Sequence, residues 1–173
     1  MELHSFYAGT VPAAAADSLK KAARAYADTP RAEALLWEAH REAPEALPVY
    51  FSLYKFYFYK GRLADAERTA RLGLDVASQQ GGFPTDWEQL TPECTDWTAP
   101  DSPQHFYLFS LKALAFIRLR LGDVRCSQRI LRKLAELDAQ DTVGGSVISA
   151  LAARVSARHS HPTTEGELHA DRR

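Results

Sequence analysis

The stretch YFSLYKFYFYK (residues 50–60) sets seven aromatic side chains within ten residues: Tyr50, Phe51, Tyr54, Phe56, Tyr57, Phe58 and Tyr59, with Lys55 among them. Residue types in this mixture do non-covalent chemistry. Ring faces attract cations and cover apolar surface, while ammonium groups meet carboxylates. At about 100° per residue, one helix face takes Tyr50, Leu53, Tyr54 and Tyr57, and Phe51, Phe58 and Tyr59 fall elsewhere. Two readings follow. Either another part of the chain covers those rings, such as Phe6-Tyr7 or the irregular stretch after residue 80, or they form an aromatic surface flanked by cations, suited to an apolar or acidic peptide.

Charge is segregated further along. Residues 81–103 hold Asp86, Glu88, Glu93, Asp96 and Asp101 with no Lys or Arg. Residues 104–133 hold Lys112, Arg118, Arg120, Arg125, Arg129, Arg132 and Lys133 against Asp123 alone. A solvated helix face accounts for such a run. A sharper expectation is that the acidic stretch lies across the basic one as a lid, anchored by Trp87 or Trp97. Signals of catalysis are weak. Gly144-Gly145 lacks a P-loop lysine, no Ser or Cys sits in a nucleophile elbow, and Asp65 with Glu67 fits a helix surface. Cys94 and Cys126 lack a second cysteine at short spacing, and His159 and His161 sit in a polar tail. No catalytic residue, metal or cofactor is expected. The rival reading is a metal-handling or enzymatic accessory using Cys94, His105 and the insert carboxylates.

The elements that would position these residues can be read from composition and period. The chain has 173 residues, enough for one domain, and a formal net charge of -1. That balance argues against a basic nucleic-acid binder. No apolar run is long enough for a membrane span, the start has no secretory pattern, and two cysteines make no disulfide framework. A cytoplasmic setting is the expectation. Apolar residues recur at helical spacing between Gly and Pro clusters. Helices are expected over 13–27 (with Leu19, Ala22, Ala23 and Tyr26 on one side), from Thr29-Pro30 (Thr29 as N-cap, Pro30 at the first helical position) to Pro44, over 45–60, and from Leu63 to Gly81-Gly82. Beyond an irregular stretch with one turn at Trp87–Leu90, helices resume over 104–121 and 124–139. A last helix carries Val143, Val147, Ile148, Leu151 and Val155 on one stripe. The tail 159–173 has one Leu and no period, and is expected to be disordered. The class is all-α.

The helix pairs repeat. Leu47, Tyr50, Leu53, Tyr57, Gly61, Leu63 and Ala66 follow the tetratricopeptide spacing. A register 34 residues earlier gives Leu19, Ala32, Leu36, Ala39 and Pro44, and one starting at Leu108 gives Leu111, Leu114, Ala115, Gly122, Val124, Leu131 and Leu134. The chain thus resembles the tetratricopeptide repeat family. It departs from the pattern at Lys20 and Tyr54, where a small residue is usual, and at Gly73. The resemblance implies an α-solenoid of about three helix pairs (13–46, 47–80, 108–141), an irregular insert (81–107) and a capping helix (142–158), making one domain over 1–158.

In that family the first helix of each pair lines a concave groove that binds peptides or a partner's helix. The positions carried over are Lys21 and Arg24, then Phe51, Lys55, Phe58 and Tyr59, then Phe109, Lys112, Phe116 and Arg120. The family's carboxylate clamp is not expected, because its positions hold Asp17, Lys21, Ser52, Phe109 and Ala113. What the resemblance implies is a non-enzymatic adaptor or assembly chaperone. Its partner is another protein, or a second copy if the exposed rings meet their own kind. No membrane or nucleic-acid partner is expected. The three short pairs are similar to secretion-system chaperones, which lack such an insert. The stretches GGFPTDW, FYLFSLKALAFIRLRLGD and VGGSVISAL resemble small repeat proteins encoded among bacterial nitrogen-fixation genes.

Overall fold

Side-chain caps fix where three of the helices begin. Asp28, Ser102 and Asp123 accept from the backbone N–H groups of Arg31, His105 and Cys126 at 3.2, 3.1 and 3.0 Å, satisfying donors that a helix start leaves open. The computed structural model describes residues 11–159. Its helices are α1 (Ala13–Arg24), α2 (Thr29–Glu42), α3 (Leu47–Tyr59), α4 (Leu63–Gly81), α5 (Pro103–Arg120), α6 (Val124–Leu137) and α7 (Gly145–His159). Two short 3₁₀ turns, Trp87–Gln89 and Pro92–Cys94, lie between α4 and α5. Among the described residues there is no strand. The all-α class is what the periodicity led us to expect.

Consecutive helices pack as hairpins, α1 on α2, α3 on α4 and α5 on α6. The second helix of each hairpin packs on the next element, α2 on α3, α4 on α5 and α6 on α7, and α1, α3, α5 and α7 also touch in sequence. This arrangement is compatible with a helical-repeat stack. Gly61 and Gly122 close two of the hairpins at φ +73° and +86°, a conformation that side chains with a Cβ resist. Ala32, Ala39, Ala66, Ala70 and Ala77 are wholly buried where helices approach closely. Gly73 belongs with them: a Cβ there would stand 3.0 Å from Tyr50 Cβ and 3.4 Å from the Phe106 ring. Its departure from the repeat pattern marks where α4 is squeezed between α3 and α5.

Several local expectations need correction. The α2 cap is Asp28, one residue before Thr29, because the carboxylate reaches the Arg31 N–H. Tyr26 lies past the end of α1 and is exposed, with the Lys60 ammonium 4.1 Å from its ring centroid. Helix α5 starts at Pro103, within the expected insert, because Ser102 caps it there. A second turn, at 92–94, was not expected. On α7 the buried line is Ala152 with half-buried Ile148 and Val155, while Val147 and Leu151 are 69% and 37% exposed. The apolar residues of that helix cover too wide an arc to name the buried side. Phe6, Tyr7, His161 and the rest of the tail lie outside the described residues, and His159 ends α7.

The insert is tied down by its own core. Phe83, Leu90 and Trp97 are buried. The Phe83 ring lies 5.0 Å from those of both Trp97 and Tyr107, and the Trp97 indole donates to the Thr91 carbonyl at 3.0 Å. Glu88 pairs with Arg129, whose guanidinium lies 5.7 Å from the Trp87 ring. Lys133 donates to the Leu90 carbonyl at 2.8 Å. The acidic insert therefore does meet the basic stretch, on α6.

Candidate functional site

Helices α3 and α5 carry the rings and cations, and neither contains Asp or Glu. The two helices touch through matched rings. Phe51 meets Phe109 at 5.8 Å between centroids, and Phe58 meets Phe116 at 5.2 Å. Since the lower-numbered rings pair with each other, α3 and α5 run in the same direction. All four phenyl groups are half-buried. Tyr59 extends the row, edge-on to Phe58 at 5.7 Å and 65% exposed.

Each of three cations lies by one of these rings. Lys55 is 5.2 Å from the Phe51 centroid, Lys112 is 4.3 Å from that of Phe109, and the Arg120 guanidinium is 5.4 Å from that of Phe58. Among the described residues none of the three has a carboxylate within ion-pair distance. Their neighbours differ in this respect. Arg118, on another side of α5, pairs with Glu67 at 3.2 Å and Asp123 at 3.6 Å.

Lys112 is the most enclosed of the three. Its ammonium donates to the Val143 carbonyl in the loop before α7. Burial holds its pKa below the ordinary lysine value, and the charges of Asp141 and Asp138 offset this in part. Those two carboxylates are engaged in shaping the loop. Asp138 accepts from the Thr142 N–H and hydroxyl and the Val143 N–H at 2.9, 2.8 and 3.0 Å. Asp141 accepts from the Ser146 N–H at 3.0 Å and its hydroxyl at 2.5 Å. The loop thereby aims one backbone oxygen at Lys112.

The structure brings Phe51, Lys55, Phe58, Tyr59, Phe109, Lys112, Phe116 and Arg120 onto one surface. It does not join Lys21 and Arg24 to it. Both are exposed on α1, and Lys21 pairs with Asp17 at 2.7 Å. Trp87 and Trp97 do anchor the insert, but not over the rings. Trp97 packs on Tyr107, and Tyr107 and Phe109 are two residues, roughly 200°, apart around α5. The insert is fastened on the opposite side of that helix and on α6, so the lid expectation is corrected. Sequence reasoning missed the Val143 carbonyl and the matched register of the rings. The equal spacing of Phe51 to Phe58 and Phe109 to Phe116 was the available signal.

Among the described residues, no group of three or more His, Cys, Asp or Glu side chains stands close enough together to hold a metal ion. Nor is any helix long and apolar enough to cross a membrane.

No family model matches the chain, and no solved structure matches it. A protein of Azotobacter chroococcum mcd 1 described as "Uncharacterized 19.8 kDa protein in nifW 5'region" is 32% identical over 138 residues, covering 79% of this chain and 77% of that protein. Its gene neighbourhood is consistent with the nitrogen-fixation context that the three short stretches suggested. At that identity and coverage, the chain belongs to the family of the 19.8 kDa nifW 5'-region protein.

Proposed function

We propose that the chain is a non-enzymatic interaction module, a tetratricopeptide-like adaptor or assembly chaperone that holds a segment of a partner protein on the α3–α5 face. The helix pairs 13–46, 47–80 and 108–141 would be its repeats, and α7 its cap. One observation carries the reading: half-buried ring pairs in register between two acid-free helices, the first attended by Lys55 and Lys112 and the second by Arg120, with no carboxylate within ion-pair distance of these cations among the described residues. Such a surface offers apolar area and unspent positive charge together, which suits an apolar and acidic segment. The nitrogen-fixation gene context of the relative fits an accessory role of this kind.

The test is a double variant, Phe58→Ala with Lys55→Glu. Both side chains are half-buried at the surface, so helicity by circular dichroism is expected to stay near wild type. Capture of whatever co-purifies with the tagged protein from its native host is expected to fall by about tenfold or more, as for a ring and a charge at the centre of an interface. Undiminished capture would reject the site.

Self-association has one observation in its favour, the exposed Val147 and Leu151 on α7. Light scattering behind a sizing column tests it. A dimer that Leu151→Glu dissolves would support it, and a monomer at micromolar concentration would reject it.

A further inference from the structure

We infer that the segment held on this face is an acidic amphipathic α-helix lying along α3 and α5, with large apolar side chains seven residues apart and carboxylates midway between them. The inference rests on reading the face as a partner-binding site.

Spacing argues for a helix. Phe51 and Phe58 are seven residues apart, as are Phe109 and Phe116. At 1.5 Å per residue the two ring pairs stand about 10.5 Å apart along the helix axes. Lys55 and Lys112 fall between them, three or four residues from each ring, and Arg120 comes four residues after Phe116. By position along the helices, ring-bearing and cation-bearing residues alternate about every 5 Å, with the charged ends of Lys55, Lys112 and Arg120 leaning toward Phe51, Phe109 and Phe58. An extended peptide advances about 3.3 Å per residue, so about three residues span the two ring pairs. Side chains three apart on a strand point to opposite sides. On a helix, seven residues span the same distance and return to the same side, and positions three and four residues on face the cations. A seven-residue repeat also keeps a guest helix facing the same seam at a shallow crossing angle of roughly 20°.

Charge argues for acid. Helices α3 and α5 supply no carboxylate, and the carboxylates nearest Lys112 already serve the backbone of their own loop. The ammonium of Lys112 meets a neutral carbonyl and a ring. A guest carboxylate would supply the counter-charge. The rings supply apolar contact on either side, so both features belong to one ligand.

The test uses the full chain and three synthetic peptides in titration calorimetry. The first places leucines seven residues apart, with glutamates three and four residues after each, on an alanine and glutamine background. The second has the same composition with the leucines three residues apart. The third is the first with a central proline. We expect the first to bind about tenfold or more tightly than the others, to weaken as salt is raised, and to weaken about tenfold or more against Lys112→Glu or Lys55→Glu protein of unchanged helicity. Equal binding of the three peptides, or binding indifferent to both lysine variants, overturns the inference. So does tighter binding of a peptide of residues 1–10, which would make the face a seat for the chain's own start, or self-association that Lys55→Glu abolishes, which would assign it to a second copy. Where the peptides show no preference and Phe58→Ala with Lys55→Glu still abolishes capture of the native partner, the interaction face stands and the helix is discarded.

Discussion

Tyr57 shows how one side chain can hold two hairpins together. It is 1% exposed. Its hydroxyl accepts from the Trp37 indole at 2.8 Å and donates to Glu33 at 2.7 Å. The other Glu33 oxygen accepts from Arg62 at 2.7 Å, and the Arg62 guanidinium lies 4.7 Å from the Tyr57 ring centroid. Burial first, and the Glu33 hydrogen bond second, push the phenol up to about 12. The folded protein thus keeps this proton at a pH where the unfolded chain has lost it. The contribution to stability is whole below the ordinary value of 10.0 and is lost as pH climbs through about 12. Glu33 acts at the other end of the scale. The Arg62 hydrogen bond holds its carboxyl below 4.5, so its contribution is present above that value and is lost as pH falls through the lower folded value. Tyr57→Phe strips the hydroxyl and strands the indole N–H and one carboxylate oxygen. Urea unfolding at neutral pH should show a loss of about 1–2 kcal/mol, and the alkaline decline in stability should become shallower. An unchanged midpoint would show that the network contributes nothing.

Between helices, Gly73 is the position with least room. Valine there would push its Cβ onto Tyr50 and add branches toward Phe106. We expect Gly73→Val to destabilise by about 1–3 kcal/mol despite a gain in helix propensity, read as a lower thermal midpoint. A midpoint equal to wild type would mean that α3, α4 and α5 are less tightly wedged than the geometry says. Gly73 also shows what a linear pattern can and cannot disclose. Helix positions were legible because Leu, Ala and Tyr recur every three or four residues and because Gly61 and Gly122 need left-handed backbone. The reason for a glycine at 73 was not, because its neighbours Tyr50 and Phe106 are brought there by other helices. The same holds for the insert. Its charge segregation was visible, but Glu88 finds Arg129 and Lys133 finds Leu90 across 41 and 43 residues. No local rule says which side of α5 such contacts will choose. Phe51, Phe58, Phe109 and Phe116 could be named from the resemblance to the tetratricopeptide pattern. Their pairing in register depends on α3 and α5 lying side by side. Lys21 and Arg24 were named by the same carry-over, yet α1 leaves them outside the row.

Among the described residues each helix contacts mainly its chain neighbours and the next-but-one helix, an arrangement compatible with stability spread along a line. Helix α7 packs on α6 and α5. Gly145 packs so closely on Leu134 that a Cβ there would sit 2.8 Å from Leu134 Cδ2, and the loop before it holds Lys112. Ending the chain before Gly145 should cost hydrogen-exchange protection in α5 and α6 while α1 and α2 keep theirs. Uniform loss along the chain would instead mean a single all-or-none unit. The formal charge of the molecule is -1, which suggests an electrically bland particle. Yet α3 and α5 hold no negative group at all, and Lys55, Lys112 and Arg120 lie by their rings, so the near-zero total conceals a locally positive ring-lined face. An oppositely charged molecule would be turned toward that face before touching it, and its arrival rate should slow steeply with ionic strength while a neutral one's does not.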